Sequence, residues 1–332
     1  MKKIIVVSLI FISTLAAQPE FSSISSQPGA FSRMGFGARG IGMGNAMSSV
    51  KYGNLVSYYN PALSVFQKDN SFQTSYAILS LDRKLNFLNF TKHFTLPSKG
   101  KGISKKKGSD LLAGVSIGII NAGVGDIIGR DNQGNNIGVF STTENQFFVS
   151  VAKELSKKLA LGIAIKFYNY NLFQDITSSG IGFDLGGIYS LNAQWTLSFM
   201  VADLNSKYKW DTVPLLQQSG SQTENKFPLL KKIGVSYLSK KFNTLVAAEL
   251  ESSNAGTTIF RIGAEHYLAE NFTLRGGIDQ YNLKNSDFPV RPSLGASFIR
   301  KVGNFLLSVD YAYVIERYSP DDRHIVGITA RF

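Results

Sequence analysis

The feature that most restricts the fold is a pattern of apolar residues that recurs at every second position. In the segment 158–169, Leu159, Leu161 and Ile163 lie on one face of an extended strand, and Ala160 lies on the other. A helical period would scatter these residues around the helix axis. The alternation therefore predicts β-strands.

Segments of this kind recur along the whole chain after residue 70, with a break after each one. The fourteen predicted strands are residues 72–81, 85–94, 111–120, 145–154, 158–169, 180–190, 194–204, 230–239, 242–251, 257–267, 271–282, 292–301, 304–314 and 324–332. A tilted strand crosses a bilayer with about ten residues, whereas strands in soluble sandwiches usually have about five or six. The strand lengths therefore favour a membrane barrel.

The faces opposite the apolar rows carry ionisable residues among Gly, Ala, Ser and Thr. They are Lys166, Asp184, Glu249, Arg261, Glu265, Arg275, Asp279, Asp310 and Arg331. A membrane barrel directs its apolar rows to lipid and its polar rows to the lumen. Lipid tolerates no unpaired strand edge, so such a sheet has to close. We expect an all-β fold, a fourteen-stranded antiparallel transmembrane β-barrel over residues 71–332.

The first residues have the layout of a secretory signal peptide. A basic start at Lys2 and Lys3 precedes the apolar stretch 4–12, and small residues follow up to Ala17. The apolar stretch is about half of the ~20 residues that a spanning helix needs. We expect residues 1–17 to be a cleaved leader and the protein to lie in the outer membrane of a Gram-negative-type bacterium.

The breaks between predicted strands alternate in length. Short links such as 156–157 and 240–241 alternate with long ones at 121–144, 170–179 and 205–229. Outer-membrane barrels have short periplasmic turns and longer outer loops. An even strand count places both ends of the barrel on the periplasmic side, where the short links fall.

The loop 96–110 departs from this rule, because it is long, lies on the periplasmic side and holds five lysines. Two interpretations stay open. The loop is either a solvated insertion or a basic contact for an acidic partner or for lipid headgroups.

The chain ends in an alternating apolar run closed by an aromatic residue, formed by Val326, Ile328, Ala330 and Phe332. This run resembles the C-terminal signal by which the outer-membrane insertion machinery recognises its barrels. We therefore expect that machinery and outer-membrane lipid to be partners.

Little in the sequence points to catalysis. The chain has no Cys and three His, each on a different predicted strand and without metal-ligand spacing. A formal net charge of +12 suits nucleic acid as well as anionic surfaces, but an exported chain rarely meets nucleic acid. We expect no enzyme activity, no metal, no cofactor and no nucleic-acid partner.

Residues 18–70 lack the strand pattern and carry a specific motif. The run Gly37-Ala38-Arg39-Gly40-Ile41-Gly42-Met43-Gly44 and the element Asn60-Pro61-Ala62 resemble the N-terminal signature of FadL-like barrels, most closely that of the PorV/PorQ family. The resemblance implies a fourteen-stranded barrel whose residues 18–70 fold into the lumen as a plug. The implied plug-motif residues are Gly37, Arg39, Gly40, Gly42, Gly44, Asn60 and Pro61.

The resemblance implies a non-enzymatic role in type IX protein secretion, in which the barrel binds or shuttles secreted cargo or contacts a translocon. The candidate contact is an outer loop that contains Trp210, Leu215 and Leu216. The alternative is a FadL-like transporter of long-chain fatty acids or other hydrophobic compounds. A porin-like pore without a dedicated ligand is the third possibility.

Overall fold

A computed structural model describes residues 21–96, 111–173, 176–213 and 217–332, except for the side chain of Gln218. The predicted leader, residues 97–110 of the basic loop, and Leu215 and Leu216 lie outside these described residues.

Fourteen antiparallel strands form a closed ring, which confirms the predicted all-β barrel. The barrel strands are β1 (Ser71–Ile78), β2 (Arg83–Leu96), β3 (Leu111–Arg130), β4 (Asn136–Glu154), β5 (Leu159–Phe173), β6 (Ile176–Ser190), β7 (Trp195–Leu204), β10 (Leu230–Ser239), β11 (Thr244–Ser253), β12 (Thr258–Ala269), β13 (Phe272–Asn282), β14 (Arg291–Val302), β15 (Phe305–Val314) and β16 (Arg323–Arg331). Consecutive barrel strands pair with each other, and β1 closes the ring on β16 from Ser71↔Arg331 to Ile78↔His324.

The other elements are short. A separate hairpin, β8 (Lys207–Asp211) and β9 (Gln222–Lys226), lies between β7 and β10. The α-helix α1 spans Gly37–Gly42, and 3-10 helices span Ile24–Ser26, Phe31–Arg33, Pro61–Phe66 and Gln217–Ser219. No helix in the described part of the chain is long and apolar enough to cross a membrane.

The two faces of the barrel wall have the predicted orientation. Outward apolar side chains such as Ile117 and Ile328 are 53% and 51% exposed, whereas inward Asp184 and Glu265 are each 1% exposed. All the predicted lumen-facing charges are buried except Arg331, which is partly exposed near Asp69 at the end of β16. The barrel therefore has an apolar outer belt and a charged interior, as a membrane barrel requires.

The two rims of the barrel differ. We call the rim with the links 155–158, 191–194, 240–243 and 303–304 the turn end, because its described links are short. β1 begins and β16 ends at this rim. We call the opposite rim, which carries the hairpin β8–β9 and the links 254–257, 283–290 and 315–322, the loop end.

The prediction of two long loops at the loop end, 121–144 and 170–179, is wrong. Residues 121–144 are mostly strand, because β3 and β4 stay paired out to Arg130↔Asn136, and most of 170–179 belongs to β5 and β6. Asp131 closes the β3–β4 hairpin by accepting hydrogen bonds of 2.8 Å from the backbone N–H groups of Gln133 and Asn135. The many Gly and Asn residues of this region hid the strand pattern, since these residues are depleted in strands.

Residues 21–70, which we call the luminal segment, precede β1 and lie inside the ring. α1 contacts β1 and β13–β16, whereas the 3-10 helix 61–66 contacts β2–β6 on the other side. The segment begins at the loop end, where Ser23 N–H donates to Ala255 O at 3.0 Å. It finishes at the turn end, where Asn70 N–H donates to Phe332 O at 3.0 Å.

Candidate functional site

Arg39 fixes the luminal segment to the barrel wall. Its Nε and Nη2 atoms each donate a 2.9 Å hydrogen bond to a carboxylate oxygen of Glu265 on β12. Its Nη1 donates to Asn54 O within the segment at 2.8 Å. Burial acts to lower the pKa of Arg39, but the adjoining Glu265 carboxylate raises it above the ordinary value. The bidentate geometry is the strong form of a buried ion pair.

A second polar link connects the segment to β13 through Tyr59 and Asn45. The Tyr59 hydroxyl accepts a 2.9 Å hydrogen bond from Phe36 N–H and lies 2.8 Å from Asn45 Oδ1. Asn45 Nδ2 in turn donates to Asp279 Oδ2 at 2.8 Å. Burial raises the pKa of Tyr59 well above its ordinary value. The hydroxyl therefore stays protonated, so it can donate to Asn45 Oδ1 while it accepts from Phe36 N–H.

Two glycines of the motif allow these close contacts. Gly44 has a φ of +59°, and a Cβ atom there would lie 2.6 Å from the backbone nitrogen of Ile278. A Cβ atom at Gly40 would lie 2.0 Å from the Tyr59 hydroxyl. Only a residue without a side chain fits either position.

Asn60 holds the second half of the motif against β6 and β7. Its Oδ1 accepts from Ala62 N–H at 3.0 Å, which caps the 3-10 helix that Pro61 begins. Its Nδ2 lies 3.2 Å from both Gly187 O and Phe199 O on the wall. One buried side chain thus both starts the helix and attaches it to two strands.

The attachment of the luminal segment is one-sided. Its hydrogen bonds to the wall go to β1, β6, β7 and β10–β13, through residues such as Arg39, Asn45, Ser48 and Asn60. Among the described residues, no hydrogen bond joins the segment to β2–β5. The segment meets those strands by packing, so separation there would break no hydrogen bond among the described residues.

An aromatic layer forms this packed side. The Phe36 ring of the segment lies 4.8 Å from the Phe87 ring on β2 and 6.1 Å from the Phe148 ring on β4, centroid to centroid. All three side chains are buried. The layer closes the lumen between the segment and β2–β4.

An apolar cavity of about 240 Å³ opens above this layer at the loop end. Its apolar lining comes from the segment, the β1–β2 link, β2 and β3, and includes Phe31, Met34, Leu79, Leu85, Ala122 and Val124. Glu144, Tyr170 and Arg83 supply polar groups at its edge. The cavity suits a compact apolar group.

Two further cavities of about 340 and 520 Å³ adjoin the first and share Met34 and Arg83 with it. They are lined by an arginine cluster made of Arg33, Arg83, Arg291 and Arg323. Glu316 pairs with two of these arginines, Arg291 at 3.0 Å and Arg323.

Two guanidinium groups of the arginine cluster have only neutral partners among the described residues. Arg33 donates to Pro28 O and Gln27 O, at 2.6 and 3.4 Å. Arg83 donates to Ser80 O and Ser80 Oγ, at 3.0 and 3.1 Å. Burial lowers the pKa of Arg33 below its ordinary value. Asp321 and Asp287 also line these cavities, so with Glu316 three carboxylates face the four arginines. The cluster therefore keeps one positive charge in excess and can pair with an anionic group.

The hairpin β8–β9 leans over the same end of the lumen. Trp210 lies 5.3 Å from the Tyr170 ring and 5.6 Å from the Tyr208 ring and is partly buried. The Trp210 ring therefore packs onto its own barrel. The partner role predicted for this loop stays a prediction.

The residues of the predicted insertion signal lie on the outer wall. Val326, Ile328 and Phe332 are exposed on β16 and just after it, and the Phe332 ring packs 5.5 Å from that of Phe305. His266 also lies on this outer face, where its Nδ1 is 2.9 Å from Thr244 Oγ1.

The arginine cluster could not be predicted from the sequence. Its members come from the luminal segment, β2, β14 and β16, so no local motif unites them. In the sequence, each of these arginines is indistinguishable from an ordinary solvated surface charge. They come together only when the barrel closes.

Comparison with solved structures shows which known proteins are similar in fold to this barrel. The toluene transporter TodX of Pseudomonas putida superposes with a TM-score of 0.57 at 13% identity, covering 89% of this chain and 96% of TodX. A TodX deletion mutant, described as a monoaromatic hydrocarbon channel, gives 0.54 at 14% identity, covering 89% and 97%. A FadL homologue of Pseudomonas aeruginosa gives 0.49 at 10% identity, covering 88% and 97%.

At this level of identity the TodX likeness establishes a common fold. No protein-family model matches the sequence, and no curated protein is similar to it in sequence. The narrower resemblance to the PorV/PorQ family stays a prediction from the motif.

Proposed function

We propose that this protein is an outer-membrane transporter that admits hydrophobic compounds with an acidic head group from the loop end. The observation that carries the proposal is the pairing of an apolar cavity with an adjoining arginine cluster. The shared fold with TodX, a toluene transporter, supports hydrophobic transport but says nothing of the head group.

The cavity sizes favour small or slender ligands. An apolar cavity of ~150 Å³ is enough to hold benzene. The apolar cavity here is about 240 Å³, so it accommodates a single aromatic ring or a short length of alkyl chain. A ligand with a longer alkyl chain would fit only if the aromatic layer below the cavity opened.

The arginine cluster selects the head group. A guanidinium group binds a carboxylate through parallel hydrogen bonds, and Arg33 and Arg83 have no carboxylate partner among the described residues. A neutral hydrocarbon would leave these groups unused. A carboxylic acid pairs with them while its chain occupies the apolar cavity.

We propose that the luminal segment acts as a plug that yields on one side. Its polar links to β10–β13 would hold while its packed contacts with β2–β5 separate. Phe36 would then leave Phe87 and Phe148, and a path would open directly below the apolar cavity.

The test compares two ligands that differ only in the head group, a medium-chain carboxylic acid and the primary alcohol with the same chain. Arg33→Gln and Arg83→Gln together should weaken binding of the acid about tenfold or more and leave the alcohol unchanged. Arg130→Gln is the matched control, because Arg130 donates to Gly134 O at the exposed tip of the β3–β4 hairpin. Equal loss for both ligands, or no binding of either, would contradict the proposal.

The secretion role that the motif resemblance implies has weaker support. Trp210 packs against Tyr170 and Tyr208, so its ring already has partners within the protein. TodX, which shares the fold, is a toluene transporter. Stable co-purification with proteins that carry a type IX sorting domain would reverse this preference.

A further inference from the structure

The turn end carries a marked excess of exposed positive charge. We call its exposed basic residues the basic rim. They are Lys68, Lys92, Lys153, Lys157, Lys158, Lys240, Lys241, Arg300 and Lys301. Among the described residues of this end, only Asp69 and Glu270 are exposed acids.

The loop end is almost balanced by comparison. Its exposed basic residues in the described part of the chain are Arg83, Lys84, Arg130, Lys209, Lys226, Lys231, Lys284 and Arg317. Its exposed acidic residues are Asp82, Asp126, Asp131, Asp211, Glu224, Asp287 and Asp321. The excess therefore belongs to one rim and is not a property of the whole surface.

Three members of the basic rim point sideways from the wall. Lys92 on β2, Lys153 on β4 and Arg300 on β14 occupy outward positions of their strands. Each continues a row of lipid-facing apolar residues, such as Val151 before Lys153 and Phe298 before Arg300. They therefore lie near the turn-end edge of the apolar belt, with Phe94, Leu155 and Val302 two positions further toward the rim.

These three side chains also lack acidic partners. Within the described residues, no carboxylate lies within salt-bridge distance of Lys92, Lys153 or Arg300. The Lys92 ammonium lies 5.4 Å from the ring centroid of Phe94 on the same outer face. Three exposed cations without a carboxylate partner, at the edge of an apolar belt, are available to anionic groups outside the protein.

We propose that the basic rim binds the headgroups of anionic phospholipids in the leaflet at the turn end. Basic residues that border a membrane-embedded surface attract anionic lipids. The phosphate of such a lipid lies at the depth of Lys92, Lys153 and Arg300 when its chains cover the belt beside them. The proposal does not depend on what passes through the lumen.

An acidic protein is the competing partner, and the geometry disfavours it. A protein in the adjoining compartment would meet the turn tips, where Lys157, Lys240 and Lys301 project. It would not reach side chains that point sideways into the bilayer. The sideways residues therefore distinguish lipid from protein.

The experiment measures lipid retention by native mass spectrometry of the full-length protein in detergent. Phosphatidylglycerol and phosphatidylcholine with the same chains are added in equal amounts. The rim variant combines Lys92→Gln, Lys153→Gln and Arg300→Gln. The matched control combines Lys209→Gln, Lys226→Gln and Lys231→Gln, which removes the same charge from the loop end.

We expect the unaltered protein and the control to retain more phosphatidylglycerol than phosphatidylcholine. In the rim variant, the ratio of the two retained lipids should fall about tenfold. Raised salt should weaken the preference of the unaltered protein, because charges near water are screened. Heat-modifiable gel migration confirms that each variant is folded. An unaltered preference in the rim variant, an equal loss in the control, or no preference in the unaltered protein would each overturn the proposal.

Discussion

Arg39 of the luminal segment and Glu265 of β12 form a bidentate ion pair, with both hydrogen bonds at 2.9 Å. Glu265 also accepts from Arg275 Nε at 2.5 Å and from the Tyr267 hydroxyl at 2.6 Å. The carboxylate thus keeps partners in the wall if the segment moves away. Arg39 would keep only its hydrogen bond to Asn54 O. Loss of the ion pair therefore leaves an unpaired charge on the segment but not on the wall.

Arg39→Met tests whether this ion pair holds the segment in the lumen. Breaking one side of a buried pair typically costs about 3–5 kcal/mol when the other charge is left unpaired. We expect a smaller loss here, because Glu265 keeps Arg275 and Tyr267. We expect the variant to fold as a barrel and to show higher ion conductance in planar bilayers, because the segment is released. Arg130→Met should behave as the unaltered protein, and conductance at that level in Arg39→Met would argue against the anchoring role.

Gly44→Ala tests the close approach of the segment to β13. The new Cβ would lie 2.6 Å from Ile278 N, in a backbone conformation that L-residues rarely adopt. We expect protease cleavage of the segment to become faster and the free energy of unfolding to fall by about 1–3 kcal/mol. Gly125→Ala is the control, since a Cβ there meets no atom within 4 Å. Equal cleavage rates for the two variants would count against this packing.

Burial of the Tyr59 hydroxyl should make the folded protein less stable at high pH. Burial raises its pKa in the folded protein, whereas the unfolded residue ionises near pH ~10. The stabilisation is therefore complete below that pH and is lost as the pH rises above it, since only the unfolded state then releases the proton.

The measurement follows unfolding between neutral pH and pH values above the ordinary tyrosine pKa. Tyr59→Phe should show a shallower decline of stability than the unaltered protein, and tyrosinate absorbance should report delayed ionisation before unfolding. A decline of the same slope in both proteins would mean that Tyr59 ionises as an exposed tyrosine does.

Phe332→Ala tests the predicted insertion signal. Phe332 is exposed and packs against Phe305, so the substitution removes both a terminal aromatic residue and a ring contact. We expect slower assembly into the outer membrane, measured as the rate at which heat-modifiable protein appears. Phe305→Ala removes the same ring contact and keeps the chain end. If both variants assemble equally slowly, the ring contact explains the effect and no signal is needed.

The barrel could be predicted because period-two alternation is a local property, which residues such as Leu159, Leu161 and Ile163 display without reference to the rest of the chain. The outer parts of β3 and β4 could not be predicted, because Gly123, Gly125 and Gly129 interrupt the alternation there. Their pairing depends on the partner strand.

The site was only partly accessible from the sequence. The motif residues Arg39 and Asn60 were singled out by resemblance, but their partners Glu265 and Gly187 lie more than a hundred residues away. Likewise, Arg33 and Arg323 stand at opposite ends of the chain and meet only when the ring closes. Long-range contacts of this kind leave no periodic signal.

The path of the luminal segment has a consequence for how the molecule can be labelled. In a ring with an even number of strands, the first strand starts and the last strand stops on one side. Here Phe21 and Ser23 lie at the opposite rim, because the segment has carried them along the axis. A tag joined at Phe21 and one joined at Phe332 would therefore lie on opposite sides of any membrane that the barrel spans.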